Sequence, residues 1–390
     1  MVIDATEGWK LKWSLRRMAA TSKPPRSWRI AHTEISLGWG GQERRILAEL
    51  KGFRDRGSQV FLWTPPDARL GRFAADEGIS VVPLSASRLG MPFTIFRMAS
   101  WLRTRQIQIL NPHSSRDAWI AGIAGRLART PFIIRSRHFD VAIPHPWMSR
   151  PVYVGLSDHI ITTSPSIAQN LRQIFQLPES RVTTLPTGID LTRFTPEGTQ
   201  ASFTFTPEPS TEPLIGMIGV FRHAKGHRVL LEAAKALDRE GFRARYVLVG
   251  SGPGLEKIQT MANEMNLGDR FFFSGEREDI PEILRGLDLV VMPSLHEGIP
   301  QVGLQALACK TPLIGSDIGG LSAILGKSER GRVVPPGDPA ALARAIRESL
   351  TDLARTQAMS QRGREFVEAE CGLETMMDRL DQLYSTHFER

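Results

Sequence analysis

From Arg29 onward the chain alternates short apolar runs with glycine-rich or polar turns and helix-length amphipathic segments. WRIAHTEI, SQVFLWTPP, ISVVPL, QIQILNPH, PFIIRSRH, HIITTSP and RVTTLPTG read as strands, separated by segments such as GQERRILAELKGFRDRG and DAWIAGIAGRLART. Strands alternating with helices predict a parallel sheet covered on both faces. Around residues 195 to 212 the periodicity fades into a stretch rich in Pro, Thr and Ser, as a linker requires. Alternation resumes with LIGMIGVF, RARYVLVGSG, RFFFSG, LDLVVMPS, TPLIGS and GRVVPPGD, and the chain closes on two helical segments. The expected fold class is α/β, with two Rossmann-like doubly wound domains facing across a cleft. Its parts are a basic leader (1–28), a first domain (29–195), a linker (196–212), a second domain (213–372) and a C-terminal helix (373–390) packing back toward the first domain.

A length of 390 residues suits two such domains. The formal net charge of +8 favours anionic partners, though no nucleic-acid recognition motif accompanies it. Two cysteines, Cys309 and Cys371, make neither a disulfide framework nor a zinc spacing, and a reducing cytoplasm is the expected compartment. No apolar run is long enough to span a bilayer. The leader carries Trp9 and Trp13 among Lys10, Lys12, Arg16 and Arg17, which reads either as an amphipathic contact with an anionic membrane or as a disordered extension.

In open α/β sheets ligands bind beyond the carboxyl ends of the strands, so the loops there carry the chemistry. LDLVVMPSLHEGIPQVGLQALAC predicts a buried strand over Leu289 to Met292, a loop, and a helix beginning near Ile299 or Pro300. The free N–H groups of such a helix start suit a diphosphate. Glu297 and Gln305 are eight residues apart, about 12 Å at helical rise, which is roughly the span from sugar to ribose in a nucleotide sugar. On spacing alone Glu297 could equally be a helix cap and Gln305 a solvated position. HTEISLGWGGQERRIL places Gly38, Gly40 and Gly41 between a strand and a helix, where backbone approaches a ligand closely. QIQILNPHSSRDAW ends a strand at His113, with Ser114 or Ser115 as the cap of the next helix, and RSRHFD puts Arg135, Arg137 and His138 after the following strand. MPFTIFRMASWLRTRQ sets Arg97, Arg103 and Arg105 beside Phe93, Phe96 and Trp101, either a membrane-docking face or a core face with a wet edge.

The segment from Met292 to Gly320 resembles the family 4 retaining glycosyltransferases of the GT-B fold. Ser294, Glu297, Gly298 and Pro300, followed by Pro312, Leu313, Ile314, Gly319 and Gly320, match that family's pattern. LPTGIDLTRFTP resembles its first-domain terminal motif, with Thr187 for the usual Asn. GVFRHAKGHRVLLEAAKAL resembles its phosphate loop, with Lys225 and Gly226 matching, Val220 where the usual Arg stands, and Arg222 two residues on.

The resemblance implies that Glu297 holds the transferred sugar, that Gly298, Ile299, Pro300 and Gln301 meet the diphosphate, and that position 305 meets the ribose. It also implies donor-phosphate roles for Lys225, Arg222, Gly40 and Gly41, a sugar-facing His113, and an acceptor side near Gly38. Arg137 and His138 are acceptor candidates from their own loop. The implied reaction is hexose transfer from a nucleoside-diphosphate sugar, UDP-linked by preference, to a glycan or glycolipid hydroxyl with retention of configuration. Lipopolysaccharide or other cell-envelope synthesis, at the cytoplasmic membrane face, is the expected setting. No D-x-D sequence occurs, in keeping with no cofactor and a metal-independent site in which cations stabilise the leaving diphosphate. Gln305 replaces a carboxylate with an amide and is expected to weaken the ribose clamp without abolishing it. The rival expectations are a glycosyltransferase-like binding protein of impaired activity and a sugar-nucleotide epimerase on the same fold.

Overall fold

The computed structural model describes residues 26–389 except 86, 88–89, 140–142, 144, 204 and 206–210. Most of the leader therefore lies outside the described residues, and with it the proposed Trp9 and Trp13 contact.

Seven parallel strands form the first sheet: β1 Arg29–Thr33, β2 Gln59–Thr64, β3 Ser80–Pro83, β4 Ile109–Pro112, β5 Phe132–Arg137, β6 His159–Thr162 and β7 Val182–Thr184. Their order is β3-β2-β1-β4-β5-β6-β7. Six more form the second sheet: β8 Leu214–Ile218, β9 Arg245–Val249, β10 Phe271–Gly275, β11 Leu289–Met292, β12 Leu313–Ser316 and β13 Arg332–Val334, in the order β10-β9-β8-β11-β12-β13. β4, β6 and β11 are buried along their whole length, and β11, Leu-Val-Val-Met, is accordingly an unbroken apolar run. Each sheet reverses its winding once, between β1 and β4 and between β8 and β11. Such reversals open the crevice in which ligands of these folds bind.

The chain passes between the domains twice, and the two crossings hold each other. Ile189 N–H donates to the Cys371 carbonyl (2.8 Å), and Leu373 N–H donates to the Ile189 carbonyl (2.8 Å). Beyond that point the last helix, Leu373–Phe388, returns to the first domain. Its stripe of Met376, Met377, Leu380 and Tyr384 joins Trp28, Leu50, Phe53 and Phe132 in one core. Trp28 Nε1 donates to Asp381 at 2.6 Å, and the Tyr384 ring stacks on Phe53.

In the helix Met91–Thr104 the expected basic and aromatic stripe divides. Phe93 and Phe96 are exposed, whereas Trp101 packs edge-on against Phe61 and Trp63 and Arg97 lies over the Trp63 ring. Among the described residues no helix is long and apolar enough to cross a membrane.

Because Leu380 is fully buried in the first domain's core, Leu380→Ala is expected to cost about 2–5 kcal/mol. Urea unfolding should show this as a lowered midpoint; an unchanged midpoint would mean that the last helix contributes nothing to that core.

Candidate nucleotide-sugar site

Loops at the carboxyl ends of β1, β4, β5, β8, β11 and β12 carry most of the residues singled out in the sequence, whereas Arg135 and Arg137, expected beyond the strand, lie within β5 itself. In the second domain three of them meet backbone to backbone. Gly226 has φ +79°, and a Cβ there would lie 1.9 Å from the Pro293 carbonyl oxygen. At Gly320 a Cβ would lie 1.7 Å from the Gly298 carbonyl oxygen. Neither position accommodates a side chain, so the phosphate loop, the Glu297 loop and the Gly319–Gly320 turn are locked together.

This packing brings Lys225 to Glu297: the ammonium ion-pairs with the carboxylate, which also accepts from Ser294 Oγ at 3.1 Å. Glu297 therefore pairs with side chains and is not a helix cap. The following helix runs from Gln301 to Ala308, with Pro300 outside it at the N-cap position in extended conformation (ψ 124°). This corrects the expected start at Ile299 or Pro300. The proline restrains the residue before the helix, and the first free N–H groups begin one residue later.

Gln301 and Gln305 share one face of this helix, a turn apart. The Gln301 side chain reaches across the cleft and donates to the Gly41 carbonyl at 2.8 Å, while Gln305 is half-buried. A Cβ at Gly298 would sit 3.0 Å from the His138 carbonyl oxygen, which itself accepts from Thr163 Oγ1 at 3.1 Å. These second-domain loops thus touch both the glycine loop and the histidine loop of the first domain. A cavity of about 730 Å³ opens there, lined by Gly38, Gly40 and Gly41, His113, Arg137 and His138, with Val220 and Arg222 from the other side. Arg222 is exposed at its rim, and Arg137 donates to the Tyr153 hydroxyl at 3.1 Å. A larger hollow of about 1080 Å³, between Thr211 and Gln361, is remote from all these residues.

The first domain also holds polar groups that the sequence reading did not single out. Glu34 is fully buried beneath the glycine loop. It accepts from the backbone N–H of Ile35 (2.8 Å) and Ser36 (2.7 Å), from Gln42 and from Ser114. Burial raises its pKa. Ser114 does occupy the N-cap position of the helix Ser115–Ala128, but its hydroxyl serves Glu34 and not the helix. Asp117, also pushed upward by burial, accepts from Thr33 Oγ1 (2.7 Å) and the His113 N–H (3.2 Å), fixing the strand end that carries His113. Three buried imidazoles then run in series: His32 Nδ1 to His113 Nε2, and His113 Nδ1 to His138 Nε2, each 2.8 Å. The one signal available for these groups was H-T-E at the end of an otherwise apolar strand.

Among the described residues, His32, Glu49 and His113 offer ligand atoms within 4.8 Å of one another. The two imidazoles share a hydrogen bond, Glu49 is ion-paired with Arg45 (2.7 Å), and the set lies in the first domain, apart from the Lys225–Glu297 loops.

Two doubly wound domains with a cation–carboxylate pair and a helix start at their cleft define a GT-B glycosyltransferase architecture. Two family models agree: one described as glycosyl transferases group 1 matches residues 199–366, and one described as glycosyltransferase family 4 matches residues 39–193. The chain belongs to this group 1, family 4 glycosyltransferase family and is an enzyme of that class. It is 26% identical over 353 residues to the 2-deoxystreptamine N-acetyl-D-glucosaminyltransferase of Streptomyces fradiae, covering 81% of this chain and 84% of that protein. Its fold is that of HepE of Anabaena in complex with UDP (TM-score 0.80, 16% identity, 92% of this chain and 100% of the other). It also superposes on the lipopolysaccharide outer core galactosyltransferase WaaB (TM-score 0.71, 14% identity, 92% and 99%).

The loop packing makes a pair of neighbouring glycines behave differently. Gly319→Ala meets only Ser166 Oγ at 3.6 Å and should be near neutral, whereas Gly320→Ala drives a methyl into the Gly298 carbonyl and is expected to destabilise by about 1–3 kcal/mol. Thermal unfolding of the two variants side by side tests this; equal behaviour would mean that the loops are not locked as described.

Proposed function

We propose that the enzyme transfers a hexose from a UDP-sugar to a hydroxyl of a cell-envelope glycan or glycolipid, with retention of configuration and without a bound metal. The observation that carries this reading is the Lys225–Glu297 pair, set by glycine packing beside the helix start at Gln301 and facing the first domain across the cleft. Lys225 and Arg222 supply positive charge where negative charge grows on the leaving diphosphate, and the helix N–H groups add fixed dipoles. Glu297 is placed to hold hydroxyls of the transferred sugar. His113, Arg137 and His138 line the cavity that would receive the acceptor.

UDP as the nucleotude carrier is supported by the likeness to HepE, whose structure holds UDP. The envelope acceptor is supported by the likeness to WaaB, named for lipopolysaccharide. Exposed Phe93 and Phe96 on the first domain suit work at the cytoplasmic membrane face. At position 305 the amide offers one acceptor oxygen where a carboxylate would offer two, so the ribose clamp is retuned.

A thermal-shift series with UDP-, GDP- and ADP-sugars tests the donor. UDP-sugars should stabilise, by about 2.7 kcal/mol at a hundred times Kd, and Lys225→Ala and Glu297→Ala should each abolish the shift. Gln305→Glu should tighten donor binding by ~1 kcal/mol, roughly fivefold, and EDTA should leave transfer rates unchanged. No shift with any donor would sink the reading in favour of a non-catalytic binding protein.

A further inference from the structure

The three histidines form one hydrogen-bonded chain whose inner end is sealed and whose outer end reaches the acceptor cavity. His32 and His113 are 0% and 3% exposed, and His138 is 8% exposed and lines the cavity. Along this chain every contact is nitrogen to nitrogen, so each needs one N–H and one lone pair. Burial, the leading cause at each ring, takes His32 down to about 4 and His113 and His138 well below the ordinary histidine value, so all three are neutral near pH 7. A neutral chain has only two self-consistent registers: protons on every Nδ1, or protons on every Nε2.

The inner end decides between them. His32 Nε2 is buried with no hydrogen-bond partner, as are Glu49 Oε2 and Arg45 Nη2, and the Glu49 carboxylate lies within 4.8 Å of the His32–His113 pair. Glu49 is held by Arg45, whose Nε donates to Oε1 at 2.7 Å and whose Nη1 donates to the Leu185 carbonyl at 2.8 Å. Among the charged groups acting on His32, Glu49 outweighs Arg45. A carboxylate beside an imidazole edge favours a proton on that edge. A proton on His32 Nε2 leaves Nδ1 to accept from His113 Nε2–H; His113 Nδ1 must then accept from His138 Nε2–H. The last ring nitrogen, His138 Nδ1, has no partner among the described residues and carries a lone pair.

We propose that Glu49 and His32 are positioning residues that fix the tautomer of the whole chain, so that His138 presents Nδ1 to the cavity as a hydrogen-bond acceptor for the hydroxyl that receives the sugar. The hydroxyl's use of that lone pair rests on the glycosyl-transfer reading; the tautomer does not. Arg45 is the competing influence, since a guanidinium facing His32 Nε2 would select the opposite register and turn His138 Nδ1 into a donor.

The test is a two-bond nitrogen–proton spectrum of the full-length enzyme with ring-labelled histidine at neutral pH, nine histidines in all. The expected result is the Nε2–H tautomer at His32, His113 and His138. An Nδ1–H or doubly protonated His138 overturns the proposal without need of any variant, which matters because Glu49→Gln leaves Arg45 buried without its counter-ion. Where Glu49→Gln folds, its amide donates to His32 Nε2, and His138 should switch to Nδ1–H. The KM for acceptor should then rise about tenfold for the lost acceptor hydrogen bond, with the thermal shift by UDP-sugar unaltered. A KM that does not move while the tautomer switches overturns the role given to the lone pair. Absence of any UDP-sugar shift in the unmodified enzyme would instead defeat the transferase reading and leave the tautomer result standing.

Discussion

The second-domain half of the candidate site depends on how closely three backbone segments approach one another. Two glycines permit it, Gly226 against Pro293 and Gly320 against Gly298. With a Cβ at either point the loops would part, and the Lys225 ammonium and the Glu297 carboxylate are brought together only because they do not. Strand order contributes as well: β8 and β11 are adjacent at the winding reversal, so the loops that follow them emerge side by side. Short-range steric exclusion thus sets the position of long-range charge, the arrangement that preorganised electrostatic stabilisation requires.

The first domain solves a different problem with different means. Its loops carry buried polar groups, and each must find partners or remain costly. Glu34 gathers four donors beneath the glycine loop, and Asp117 holds both Thr33 and the His113 N–H. Burial raises both acids and lowers all three histidines, which favours the neutral form of each. The result is a second-domain cluster built on one explicit ion pair, Lys225–Glu297, facing a first-domain cavity lined by buried histidines together with Arg135 and Arg137.

Legibility in the sequence followed the same division. Parallel strands buried on both faces write themselves as apolar runs, and β4, β5, β8, β11 and β12 all fall within the runs read as strands. Lys225, Glu297 and the glycines stand in contiguous motifs, so their neighbourhood was readable from spacing. The Glu34 network and the histidine chain were not, because their members come from three separate strands, β1, β4 and β5 or the loops beyond them, and meet only once the sheet order is known. Pro300 and Ser114 failed for a narrower reason. Both residue types favour helix starts, but a proline at the N-cap and a serine serving a neighbouring carboxylate are tertiary outcomes that local preference does not encode.

Residue 138 joins the two halves. Its carbonyl lies against Gly298 and is held by Thr163, while its ring closes the chain that begins at His32. The Gln301 amide makes a second link, to Gly41. Each is a single approach, weak alone; the Ile189–Cys371–Leu373 hydrogen bonds and the last helix packed into the first domain's core tie the domains more firmly. Loops fixed within each domain by glycine packing and buried networks are thereby set against each other at two points beside the candidate site.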